Sequence, residues 1–77
     1  MRQPLMTERV VRGGSRKGWE AYLPGHSAEF AAGPTAEAAA KAFARWHSER
    51  TGVPHKAVMT IGGEYDLAPK DEEDSHG

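Results

Sequence analysis

The sequence predicts an α+β fold: a three- to four-stranded, mainly antiparallel sheet packed on one helix, in the order β-β-β-α-β. Three observations carry this. A capped, alanine-rich stretch with a helical apolar repeat fills the middle of the chain, short alternating stretches flank it, and glycine- or proline-rich breaks separate them. With 77 residues, the chain has room for one domain. It is expected to span residues 1–68, followed by a disordered acidic tail over 69–77.

Residues 5–12 read as the first strand, with Thr7, Val10 and Val11 supplying β propensity. Gly13-Gly14-Ser15-Arg16-Lys17-Gly18 breaks it, because three glycines in six residues admit a turn and no apolar side chain there asks for burial. In residues 19–23, Trp19, Ala21 and Leu23 alternate with Glu20 and Tyr22, so one face can be buried and the other wet. Pro24-Gly25 ends that strand. A third strand is expected over 27–32, with Ala28 and Phe30 on one face.

The helix follows Gly33-Pro34. Thr35 can cap it, and Glu37 lies in the first turn, where the helix dipole favours negative charge. Ala36, Ala39, Ala40, Phe43, Trp46 and His47 form one stripe at i, i+3, i+4, i+7 spacing. Lys41, Arg45 and Glu49 fall on the other side. Gly52 suits a left-handed C-terminal position, and Pro54 cannot continue the helix. Trp19, Phe30, Phe43 and Trp46 are the expected core. Residues 56–61 read as a last strand closed by Gly62-Gly63, and residues 64–67 either extend it after a bulge or start a hairpin. From Pro69 onward the composition predicts disorder: after Pro69 no apolar residue remains to offset the entropy of ordering.

Net charge is -1, unevenly spread. Residues 1–18 carry Arg2, Arg9, Arg12, Arg16 and Lys17 against Glu8, whereas residues 64–77 carry six carboxylates against Lys70. The overall basicity of a typical nucleic-acid binder is missing. No apolar run approaches a membrane span, no secretory leader is expected, and the absence of cysteine excludes disulfides and thiolate metal sites, all of which fits a cytoplasmic protein. His26, His47, His55 and His76 show no His-x-His or His-x-x-x-His spacing, so neither metal nor other cofactor is expected. Residues 12–18 offer free N–H groups and cations to a phosphate, but the lysine is not followed by Ser or Thr and no helix begins there, so this is no Walker loop. Ser15 and Ser27 have no base placed for them. The expectation is a non-enzyme.

Two local patterns resemble the HicB family, the antitoxin half of bacterial HicA–HicB toxin–antitoxin pairs. Trp19-Glu20-Ala21-Tyr22-Leu23-Pro24 resembles the family's aromatic, alternating and proline-ended second strand. Gly33-Pro34-Thr35-Ala36-Glu37-Ala38-Ala39 resembles its Gly-x-Thr-x-Glu-Glu-Ala helix start, with Ala38 replacing the second glutamate. Gly52-Val53-Pro54 resembles the segment after the helix, and the likeness covers roughly residues 6–62. The family's usual Leu-Pro-Gly-Cys does not occur; His26-Ser27-Ala28-Glu29 stands there instead. The chain has no room for the C-terminal DNA-binding segment that full-length members often carry, so the expectation is the toxin-facing domain alone or a relative with another use.

The resemblance implies a protein-binding module that inhibits an RNA-acting partner, a basic HicA-like toxin or similar protein. Tyr22 and Glu20 on the wet face are the candidate contacts, with Asp71, Glu72, Glu73 and Asp74 as an acidic cover for a basic surface. A homodimer is expected to cover the open sheet face. Two alternatives stand beside this reading. One is a nucleic-acid-binding module, similar in layout to phage-integrase arm-binding domains, using Arg9, Arg12, Arg16 and Lys17. The other is a phage-type inhibitor of a nucleic-acid enzyme that uses the acidic end.

Overall fold

The computed structural model describes residues 2–12 and 16–71, with side chains for 2–10 and 18–71. The chain runs β1 (Gln3–Arg12), β2 (Arg16–Tyr22), β3 (Ala31–Gly33), α1 (Ala36–Thr51), β4 (His55–Met59) and β5 (Tyr65–Pro69). The strands form one antiparallel sheet in the order β3-β2-β1-β5-β4. The α+β class is therefore as the sequence predicts, with a fifth strand added. β1 is the axis of the sheet. Its first three residues pair with β5 (Gln3↔Leu67 to Leu5↔Tyr65), and the rest pair with β2 (Met6↔Tyr22 to Arg12↔Arg16). The two hairpins thus hang on successive stretches of one long strand, and the sheet curls around the helix.

α1 forms for the local reasons the sequence shows. Thr35 is extended (φ -136°, ψ 165°), and its Oγ1 accepts a hydrogen bond from Ala38 N at 3.0 Å. Gly52 is left-handed (φ 77°) and donates its N–H to Ser48 O at 2.8 Å. The apolar stripe faces the sheet: Ala39, Ala40, Phe43 and Ala44 are buried, and Ala36 and Trp46 flank them. Opposite them lie Leu5, Ala21, Tyr65 and Leu67; Phe43 and Leu67 are the largest fully buried side chains. Small residues set the spacing. A methyl group added at Gly33 would lie 2.7 Å from Ala39 N and 2.9 Å from Ala38 Cβ, so β3 and the helix backbone touch there. Gly33 thus does more than break the chain.

Several boundaries differ from the sequence reading, each for a tertiary reason. β2 begins at Arg16 and not at Trp19, because Arg12, Val11 and Val10 of the long β1 offer a ladder to Arg16, Lys17 and Gly18. β3 is only three residues, not 27–32; the chain first turns through His26 N–H to Leu23 O (2.9 Å) and Glu29 N–H to His26 O (3.0 Å). Phe30 falls before the paired segment and is exposed, at 43% of its surface, so it is not core. β4 ends at Met59, and Ile61 stands fully exposed in a three-residue loop. Thr60 N–H to Glu64 O (2.7 Å) and Gly63 N–H to Thr60 O (3.1 Å) close this loop, and only a glycine readily accepts the φ of 85° at position 63. Of the two alternatives for residues 64–67, the hairpin is the one observed. Pro69 belongs to β5 and Lys70 N–H still bonds Pro54 O at 3.0 Å, so order extends past the expected boundary. Residues 72–77 lie outside the described residues.

Candidate protein-binding surface

Strand alternation sorts the sheet into two faces. Trp19, Ala21 and Leu5 look toward α1; Tyr22, Met6, Glu8, Glu20 and Val10 share the opposite, outer face through the pairs Met6↔Tyr22, Glu8↔Glu20 and Val10↔Gly18. Tyr22 is half-buried there, beside Met6, which is 42% exposed. The Tyr22 hydroxyl donates to the Glu8 carboxylate. That bond, partial desolvation and the negative charges of Glu8 and Glu20 together push the phenol above its usual value. Two glutamates directly opposite each other on neighbouring strands repel. The two carboxylates place negative charge around an amphipathic aromatic on the outer face. Asp66 joins the same face through its register with Pro4, with Arg2 Nη1 4.0 Å from its carboxylate.

Tyr22 and Glu20 are therefore brought together as the alternation predicts. Asp71 is exposed but not part of this group. It follows β5 beside Lys70, two strands across from Tyr22 and several residues along, on the order of 20 Å away. Glu72, Glu73 and Asp74 lie outside the described residues. The alternative set divides. Arg9 pairs with Trp19 in the β1–β2 ladder, and the side chains of Arg12, Arg16 and Lys17 lie outside the described residues.

A second surface combines residues from three elements. Between α1 and β4 runs a groove of about 430 Å³, bordered by Lys41 and Arg45 on α1, Lys56 on β4 and Lys70 after β5, with Glu49 as its one carboxylate. Lys41 Nζ lies 2.9 Å from Glu37, an exposed i,i+4 pair that raises the Lys41 pKa. The sequence shows Lys41 and Arg45 as a wet helix side. It contains no signal that Lys56 and Lys70 meet them, since that meeting depends on the β4–β5 hairpin.

A third cluster closes the far end of the helix. Arg50 makes a two-pronged ion pair with Glu29 (2.8 and 3.2 Å) and covers the Trp46 ring at 4.9 Å. The pairing holds the Glu29 carboxyl below its usual range. The His47 ring stacks on Phe43 at 5.7 Å and meets His55 edge-on at 4.7 Å. Burial first, then the His55 and Arg50 charges, hold His47 below the ordinary histidine value, opposed by Glu29. His55 Nδ1 lies 2.6 Å from Val53 O, so that nitrogen carries a proton. Among the described residues, no three His, Asp or Glu side chains stand together as a metal site. None of the described helices is long and apolar enough to cross a membrane. No protein-family model, curated protein or solved structure matches the chain.

Proposed function

We propose that this chain is a small HicB-like protein-binding module, an antitoxin-type inhibitor that docks a basic, RNA-acting partner on the outer face of its sheet. The observation that carries the reading is the Tyr22–Met6 patch bordered by Glu8 and Glu20, left uncovered by the helix. Tyr and Met are adaptable interface residues, and a carboxylate border steers a cationic partner. Beyond Leu5, β1 pairs only with β2 among the described strands, which leaves an edge beside the patch for a partner's strand.

The test is affinity capture with the tagged chain from its native cell extract, with and without nuclease. A small basic protein that survives nuclease supports the reading. Tyr22→Ala is then expected to weaken capture at least tenfold while the chain stays folded. Recovery of nucleic acid alone, lost on nuclease treatment, overturns it in favour of the cations of the first hairpin.

A further inference from the structure

The groove between α1 and β4 runs along an unpaired sheet edge. β4 is the last strand of the sheet, and its hydrogen-bonding parity follows from its two ends. Pro54 O accepts from Lys70 N–H and Thr60 N–H donates to Glu64 O, so positions 54 and 60 bond toward the β5 side. In an antiparallel pair this sense alternates, so 56 and 58 bond inward and His55, Ala57 and Met59 turn their N–H and C=O outward. At His55 the edge is already satisfied. Ser48 Oγ accepts its N–H at 2.7 Å while the hydroxyl donates to Ala44 O at 2.7 Å. Ala57 and Met59 have no such cap among the described residues, and no described strand pairs with them.

Cations outnumber carboxylates along this groove. Lys41 and Arg45 stand one helical turn apart on the helix side, with Lys70 after β5 across from them and Glu49 as the one carboxylate that borders the groove. The Lys41–Glu37 pair is solvent-exposed and readily exchanged for another carboxylate. At the far end of the edge the character changes: Met59 is 59% exposed and Ile61 fully so.

We propose that β4 is a docking edge for an extended acidic segment of a partner protein, which adds as a sixth strand. Its backbone pairs with Ala57 and Met59, its carboxylates meet Lys41, Arg45 and Lys70, and an apolar residue rests near Met59 and Ile61. A second copy of this chain is a poor occupant, because edge-to-edge pairing would bring the two cationic grooves together. A nucleic-acid strand would meet the charges but leave the outward N–H and C=O groups of β4 without a matching ladder. This site is independent of the outer face, so either can fail without the other.

The probe is a fluorescein-labelled six-residue peptide alternating Glu and Val, titrated against the full chain by fluorescence polarisation. Two controls accompany it: the same peptide N-methylated at alternate amides, and a single-stranded oligonucleotide of equal charge. The expected result is saturable binding that weakens at least fivefold with Arg45→Glu or Lys70→Glu and at least tenfold on N-methylation. Nuclear magnetic resonance should show the Ala57 and Met59 amides shifted and protected by the peptide, and the His55 amide, held by Ser48, little changed. Equal binding of the N-methylated peptide, tighter binding of the oligonucleotide, or no binding of the peptide each overturns the proposal. Circular dichroism of both charge-reversal variants separates lost binding from lost fold.

Discussion

The two faces of the sheet use opposite chemistry. The inner face, under α1, is built from alanines and a few large side chains, and no polar side chain is buried among the described residues. The outer face holds Met6 and Tyr22 among Glu8, Glu20 and Asp66, and it tolerates a like-charge pair that the inner face could not. The difference shows where each part of the free energy goes. Burial on one side offsets the entropy of ordering a short chain, while the other side is free to carry charged groups that contribute little burial.

The sharpest way to break this comparison is Phe43→Ala. Phe43 is 2% exposed at the centre of the inner face, and such truncations cost about 3–5 kcal/mol. For a chain this small, that should leave most molecules unfolded in a thermal or urea melt; a loss below about 1 kcal/mol would show that the inner face is not the core. Gly33→Ala comes next. The new methyl would press on Ala39 N and Ala38, and overpacking of this kind costs about 1–3 kcal/mol. An unchanged urea midpoint would mean that the helix and β3 do not touch. Thr35→Ala removes the hydroxyl that accepts the Ala38 N–H and should cost about 1 kcal/mol, partly recovered by Thr35→Asp, which also favours the helix dipole. Tyr22→Ala is the converse test: a cross-strand pair on the outer face is worth only about 0.2–1 kcal/mol, so stability should shift little. A loss rivalling that of Phe43→Ala would erase the distinction between the faces.

A pH series sharpens the comparison at the helix end. His47 is held below the ordinary histidine value by burial and neighbouring positive charge, so the unfolded chain binds its proton more readily than the folded one. Stability therefore falls as pH drops below about 6.5, and the loss is complete once pH passes below the folded value. Glu29, lowered by Arg50, contributes stability above the usual carboxylate range that fades only at more acidic pH. The urea midpoint should drop between pH 7.5 and pH 5.5, and His47→Gln should flatten that step while leaving the more acidic one in place.

Much of the helix was legible in the sequence because its signals are local. Thr35, Glu37, the Ala39–Ala40–Phe43 stripe and Gly52 all act within a turn or two of where they stand. Tyr22 was placed on the outer face by alternation alone, since successive strand residues must point opposite ways. Phe30 was not legible: its hydrophobicity suggests burial, but the turns at His26 and Glu29 use up the chain before β3 begins. Nor was the groove, because Arg45, Lys56 and Lys70 meet only through the order β1-β5-β4.

The residue pattern by itself determined an α+β class, the helix with both its ends, and which residues of β2 face the core. Local hydrogen bonds and the 3.6- and 2-residue periods act over short stretches of chain, so they can be read in one dimension. Tertiary structure alone decided that β5 lies between β1 and β4, and that cations from α1, β4 and the turn after β5 border one groove. Those outcomes depend on pairing between residues up to about sixty positions apart, such as Gln3 with Leu67, and no local period encodes which strand finds which neighbour.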